Sequence, residues 1–221
     1  LEDNEDGAVA YAEAKAAFMY YERQQRKDAL EAINRSLKKH DSKDIKDSTA
    51  EQHWLKGLIL LEQDKIDEAK KELDWLAQFK DNYSLAKDNF NSGLKYYIHL
   101  DALLAEREGR MASADRNFKR LLGMKTKLSY WITYYNYQFF HTEYVKYLER
   151  NTKYEEALKE ADACLAFNAN YIPALWMKAD ILHTLDRRSQ AAPVYDLIAE
   201  LYGDADEQNY LRNRLKMQMD E

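Results

Sequence analysis

The chain has 221 residues, is 46% hydrophobic and 33% charged, and carries a formal net charge of −6. That balance argues against a disordered or fibrous chain, and against a nucleic-acid backbone as the main partner, because phosphate binding needs a clustered positive surface. Six Gly and two Pro leave room for long helices, and the single Cys164 cannot close an internal disulfide, so the redox compartment stays open.

No apolar run of about 18 residues occurs, so nothing within this chain reads as a membrane span. Strand signals are missing too. The one Asp-Gly pair, Asp6-Gly7, sits in an acidic N-terminal stretch and not between alternating segments. The chain begins at Leu1, not Met, and is expected to be a processed or excised piece of a longer protein, which makes the absence of a signal peptide uninformative.

In chain order, residues 1–6 read as a frayed start. Residues 8–22 form a helical pattern with Tyr11, Ala14, Phe18 and Tyr21 along one side. A second helix over 26–39 buries Ala29, Leu30, Ile33 and Leu37. The polar stretch 40–48 is a loop, from which Ser48 or Thr49 caps the third helix. That helix carries Trp54, Leu58 and Leu61, and the fourth carries Ala69, Leu73 and Leu76. After a connection at 80–84, a long helix runs from 85 or 87 to 108 with Phe90, Leu94, Tyr97, Leu100 and Leu104. Gly109 ends it, since glycine enters the left-handed conformation without strain. Residues 111–122 are its partner, ended by Gly123.

Residues 127–150 are the most aromatic segment. Tyr130, Tyr134, Tyr137, His141, Tyr144 and Leu148 make one stripe, and Trp131, Tyr135 and Phe139 another. A helix apolar on two sides is sandwiched between neighbours. Helices over 154–167, 172–186, 189–202 and 206–219 complete the chain, with Pro193 early in its helix, where a missing N–H costs little or kinks the first turn.

No catalytic constellation is found: there is no HExxH, Gly-rich phosphate loop, G-x-S-x-G or CxxC. His40, His53, His99, His141 and His183 are scattered rather than spaced for a metal. His99, His141 and His183 fall on helices that would line a groove, but satisfied imidazoles are the simpler reading. Cys164 reads as core filler, and Arg212, Arg214 and Lys216 as a solvated helix face. The chain is therefore expected not to be an enzyme and to hold no cofactor or metal.

The organising stretch is 58–76, LILLEQDKIDEAKKELDWL: a helix end, a tight turn and a second amphipathic helix. Gly57 lies twelve residues before Ala69, and Leu73 four after it. Closely approaching helices need small side chains at the crossing. The same spacing pairs Ala17 with Ala29, Ala102 with Ala114, Val145 with Ala157, and Ala179 with Ala191. Four residues past each alanine stand Ile33, Leu73, Phe118, Ala161 and Tyr195. Nine before it stand Tyr20, Leu60, Ala105, Leu148 and Leu182. This five-fold recurrence resembles the tetratricopeptide repeat, a helical hairpin that stacks into a solenoid. The alanines are spaced 40, 45, 43 and 34 residues apart. Only the last interval equals the family's period of about 34, so the repeats are divergent.

The resemblance implies an all-α fold, a right-handed α-α superhelix. Its repeats would span 8–40, 48–80, 85–124, 127–168 and 171–203, closed by a capping helix at 206–219, all in a single domain. It implies a concave side lined by the first helix of each repeat, where a protein or peptide partner, or a second copy, would bind. On that side fall Tyr11, Phe18, Tyr21, Trp54, Leu58, Leu61, Tyr96, His99, Leu103, Phe139, Lys146, Trp176, Asp180 and His183. The competing reading is that these aromatics are plain core. The family's Lys and Asn clamp for a peptide carboxylate is absent: Trp54, His99 and Trp176 occupy its points, with Leu58, Leu103 and Asp180 one turn on. The implied function is a non-catalytic interaction scaffold. The alternative is an extracytoplasmic sensory domain of a bacterial signalling protein such as a sensor kinase, because the charged segment from 207 onward is similar to the helix leading such repeats toward the membrane. Location is accordingly cytoplasmic or periplasmic.

Overall fold

The structure is a computed structural model that describes residues 2–39, 47–80, 92–124 and 130–202, with the side chains of 2–7, 22, 47–48, 92, 130–137 and 202 left aside. Ten α-helices and no strand occur among the described residues. They are α1 (Glu2–Glu22), α2 (Arg26–Lys39), α3 (Asp47–Glu62), α4 (Ile66–Leu76) with a 3-10 turn at Ala77–Phe79, α5 (Ser92–Arg107), α6 (Met111–Gly123), α7 (Tyr130–Arg150), α8 (Tyr154–Phe167), α9 (Ile172–Thr184) and α10 (Arg188–Tyr202). None of the described helices is long and apolar enough to cross a membrane.

Several boundaries differ from the sequence reading: α5 ends at Arg107 and not 108, α6 takes in Gly123, α9 ends at Thr184 and not 186, and α10 starts at Arg188 and not 189. Helix α1 starts at Glu2, not near Ala8. Its first turns are rich in Glu and Asp, whose charge favours a helix N-terminus. Helix α3 starts at Asp47, so Ser48 and Thr49 sit inside its first turn and not at the cap. Elsewhere α2 and α8 match the expected limits. The connection at 81–91, the start of the fifth predicted helix and the capping helix at 206–219 lie outside the described residues.

The repeat is written most plainly in the turns. Each hairpin turns through one residue with positive φ: Gln24 (63°), Asp64 (58°), Gly109 (74°), Thr152 (57°) and Asp186 (56°). Each stands five residues before the repeat alanine. The next amide bonds back to the carbonyl five residues earlier: Gln25 to Tyr20 (2.9 Å), Lys65 to Leu60 (2.9 Å), Arg110 to Ala105 (2.8 Å), Lys153 to Leu148 (2.9 Å) and Arg187 to Leu182 (2.8 Å). The positive-φ amide itself bonds three back, as Gln24 does to Tyr21 (3.0 Å) and Thr152 to Glu149 (2.9 Å). This pair of bonds is the Schellman ending, which satisfies carbonyls that a helix terminus leaves orphaned. Each chain then re-enters a helix at once, the alanine amide bonding to the carbonyl four residues earlier. Tyr20, Leu60, Ala105, Leu148 and Leu182 are thus the residues whose carbonyls close the five turns.

All ten members of the predicted small-residue pairs are buried. Gly57 also meets the following hairpin. A Cβ at Gly57 would stand 2.6 Å from Leu100 Cδ2, so its small size makes room for α5. Gly93 behaves likewise toward Phe79, at 2.3 Å. In this stretch the small residues set how closely successive hairpins approach.

The chain divides into two compact units, 1–128 and 129–221. In the first unit α1 packs on α2, α3 on α4 and α5 on α6. The second helix of each hairpin then packs on the first helix of the next, α2 on α3 and α4 on α5, while α1, α3 and α5 adjoin in a row. Ion pairs join consecutive hairpins near their turns, Arg26 to Glu62 and Lys70 to Glu108 (2.8 Å). In the second unit α7 packs on α8, α8 on α9 and α9 on α10, with Arg187 paired to Glu155. Such exposed pairs each add about 0–1 kcal/mol, so burial of the apolar faces holds the hairpins together. Leu175, Trp176 and Ile198 centre one such cluster, against Leu165, Ile172, Val194, Tyr195 and Leu197. Pro193 is the sixth residue of α10, deeper than the first turn.

Candidate functional site

The row of first helices in the first unit carries an aromatic ladder. Phe18 of α1 faces Trp54 of α3 with ring centroids 6.3 Å apart, and Trp54 stacks on Tyr96 of α5 at 4.7 Å. The Trp54 indole donates to His99 Nδ1 at 2.9 Å, which places the His99 proton on Nε2. His99 in turn meets Phe118 of α6 edge-on at 5.9 Å. Trp54 is 5% exposed, and Tyr96 and His99 are also buried. Helical spacing explains the assembly: Trp54, Leu58 and Leu61 lie on one stripe of α3, and all three are buried.

At the open end of the ladder the burial falls away. Phe18 is half-buried and Tyr11, two turns earlier on α1, is 60% exposed. The Lys15 ammonium lies over both rings, 5.3 Å from the Tyr11 centroid and 5.9 Å from that of Phe18. On α3, Glu51 accepts a hydrogen bond from the Tyr96 hydroxyl at 3.3 Å. Burial raises the Glu51 carboxyl above the ordinary glutamate range, and the charge of Lys15 and the Tyr96 hydroxyl offset this only in part.

The remaining expected residues scatter. Tyr21 belongs to the α1–α2 turn: its hydroxyl donates to Glu62 at 2.9 Å and the Arg26 guanidinium stacks 4.0 Å from its ring. Leu103 is half-buried. In the second unit Phe139 is half-buried, and Lys146 is exposed beside Glu143 at 2.6 Å. Trp176 is buried, edge-on to Tyr195 at 5.8 Å. Asp180 is half-buried, 3.4 Å from the Tyr195 hydroxyl, and His183 is exposed. The structure therefore brings Phe18, Trp54, Tyr96 and His99 together, with Leu58 and Leu61 on the Trp54 stripe and Tyr11 beside Phe18 under Lys15, and Tyr21 belongs instead to the α1–α2 turn. Lys15 and Glu51 were missed by the sequence reading. They sit one helical turn from Tyr11 and Trp54, a signal that an apolar-stripe search passes over because both are charged.

Other polar groups are occupied structurally. His53 Nδ1 lies 2.6 Å from Glu72 while its ring stacks on Trp75 at 3.7 Å, and Lys56 reaches the same carboxylate at 2.8 Å. Burial pushes the Glu72 carboxyl up, but the hydrogen bonds from His53 and Lys56 outweigh it and the net displacement is downward. His141 stands 3.3 Å from Glu160. Cys164 is fully buried with its Sγ 3.9 Å from the Gln138 carbonyl, and burial pushes the thiol up to about 12, far from a reactive thiolate. Among the described residues no group of three or more His, Cys, Asp or Glu is placed to hold a metal.

No protein-family profile and no curated protein matches the chain. Its structure is similar to that of a thermophilic TPR protein from Thermus thermophilus, with a TM-score of 0.60 at 13% identity, over 95% of this chain and 98% of that one. It is also similar to YrrB, described as a TPR protein with an unusual peptide-binding site, with a TM-score of 0.45 at 13% identity, over 92% and 91% of the two chains. The fold is an all-α helical repeat of the tetratricopeptide type.

Proposed function

We propose that this chain is a non-catalytic helical-repeat scaffold that binds a protein or peptide segment along the side presented by its first helices, the concave side in this class of fold. The observation that carries the reading is the aromatic ladder of α1, α3 and α5, which is core at Trp54 and runs out to solvent at Tyr11. An aromatic side chain left 60% exposed at the end of such a row offers apolar area to a partner at small entropic cost. Lys146 and His183 are the corresponding exposed positions of the second unit. In the first unit Trp54, Leu58, Leu61, Tyr96 and His99 are buried and Phe18, Tyr21 and Leu103 half-buried; in the second Trp176 is buried and Phe139 and Asp180 half-buried.

Selection from a display library of randomised short peptides tests the reading. Enriched peptides bind the wild-type chain, and Tyr11→Ala weakens them by about 3- to 10-fold, the loss of an interfacial aromatic contact. An enriched set indifferent to Tyr11→Ala, Lys146→Ala and His183→Ala, or no enrichment at all, contradicts it.

A further inference from the structure

We propose that Glu51 of α3, together with the rings of Tyr11 and Phe18 of α1, is the receptor for one basic side chain, lysine or arginine, of the bound segment. This rests on reading the first-helix side as the binding side, and it names the chemistry of the partner.

Three observations converge, one on α3 and two on α1. Glu51 is a carboxyl set against the ladder at the junction of α3 and α5. The Tyr96 hydroxyl donates to its Oε1 at 3.3 Å, and the side chain is half-buried rather than closed off. Burial disfavours its charge, so the fold alone gains little by placing a glutamate there. An incoming ammonium or guanidinium would restore what burial removes.

The second observation is that the neighbouring rings already accept a cation. Lys15 Nζ lies over Tyr11 and Phe18, within the distance at which a positive charge is attracted to a ring face. The third is exposure: Tyr11 and Lys15 are exposed, so a flexible lysine can swing aside and yield both faces to a partner's charge. A carboxylate and aromatic faces together favour a cation and repel an anion. A neutral apolar segment would leave the carboxylate desolvated and unpaired.

The test uses the full chain and the peptides that the selection enriches. Each peptide is compared with a version in which its arginine or lysine is replaced by citrulline or acetyl-lysine, which keep the shape and remove the charge. Neutralisation is expected to weaken binding by about tenfold or more, the scale of a buried charge pair. Glu51→Gln should erase that difference while leaving the far-UV circular dichroism and melting temperature at least at wild-type level. Lys15→Gln should strengthen binding by about 2- to 5-fold, because it removes a competing cation worth roughly 0.5–1 kcal/mol. Glu68→Gln, an exposed acid on α4, should change nothing and excludes a general effect of net charge. The inference is overturned if enriched peptides show no basic preference, or if that preference survives Glu51→Gln. Peptides that bind through Tyr11 without a basic residue sink this inference alone, whereas failure to enrich any peptide counts against the scaffold reading as well.

Discussion

Thr152 is the residue at which the turn argument is most exposed to test. It holds φ at 57° in the α7–α8 turn, a conformation that costs an ordinary L-residue about 1–2 kcal/mol and a β-branched one no less. Replacing it by Gly removes that strain and returns about 0.5–1 kcal/mol to the unfolded chain as entropy. The net expectation for Thr152→Gly is stabilisation by about 0.5–1 kcal/mol, or roughly 1–4 °C in melting temperature for a chain of this size. Gly109 supplies the mirror experiment. A Cβ there meets nothing within 4 Å, so Gly109→Ala tests the backbone alone at φ 74° and should lose about 1 kcal/mol. Urea unfolding followed by circular dichroism reads both, and amide exchange at Lys153, bonded to the Leu148 carbonyl, reads the turn locally. A neutral or destabilising Thr152→Gly, or a neutral Gly109→Ala, would refute the assignment of these residues as the left-handed members of one repeated turn.

Gly57→Ala places a methyl 2.6 Å from Leu100 Cδ2 in a fully buried contact; the overpacking of about 1–3 kcal/mol exceeds the helix-propensity gain of about 1, so the melting temperature should fall, and in a Leu100→Ala background, itself costing about 2–5 kcal/mol, the same change should cost less. Ala114→Leu, at a fully buried repeat alanine, should destabilise by about 1–3 kcal/mol in urea titration. Glu72→Gln should lose about 2 kcal/mol near neutral pH, the worth of its charged hydrogen bonds to His53 and Lys56. Because the folded carboxyl lies below its unfolded value, that contribution is present above the unfolded pKa and fades as pH falls through the folded one. Wild type and variant should therefore converge in acid, and a constant gap across pH would contradict the assignment.

Helix limits and the hairpin period were legible because they rest on local rules. Apolar residues recur at helical spacing, and an alanine stands at one point of every hairpin. The turns were legible as breaks between helices, but in four of the five the left-handed residue was not, since Gln24, Asp64, Thr152 and Asp186 are not glycine and only Gly109 announced one in the sequence. The start of α1 was hidden by the acidic, apolar-poor composition of its first turns. Gly57 was read as small for the sake of Ala69, because a sequence orders a residue's own hairpin before its neighbour; that Leu100 of the next hairpin also presses on this space is a non-local contact that no spacing rule reports. At the candidate site Phe18 and Trp54 were legible from periodicity, and Tyr96 from the resemblance to the tetratricopeptide repeat. How deeply each is buried was not, because depth depends on which hairpin stacks next. Lys15 and Glu51 went unnoticed because a charged residue on a helix is read first as solvated surface.

The indole N–H resonances of the tryptophans offer the most direct test of the binding side. Trp54 donates its indole hydrogen bond inside the ladder, and Trp75 lies on α4, stacked on His53. Titration of the isotope-labelled chain with a selected peptide should shift the Trp54 indole signal and leave that of Trp75 in place. A shift confined to Trp75, or binding that moves neither, would contradict a partner seated along the first helices.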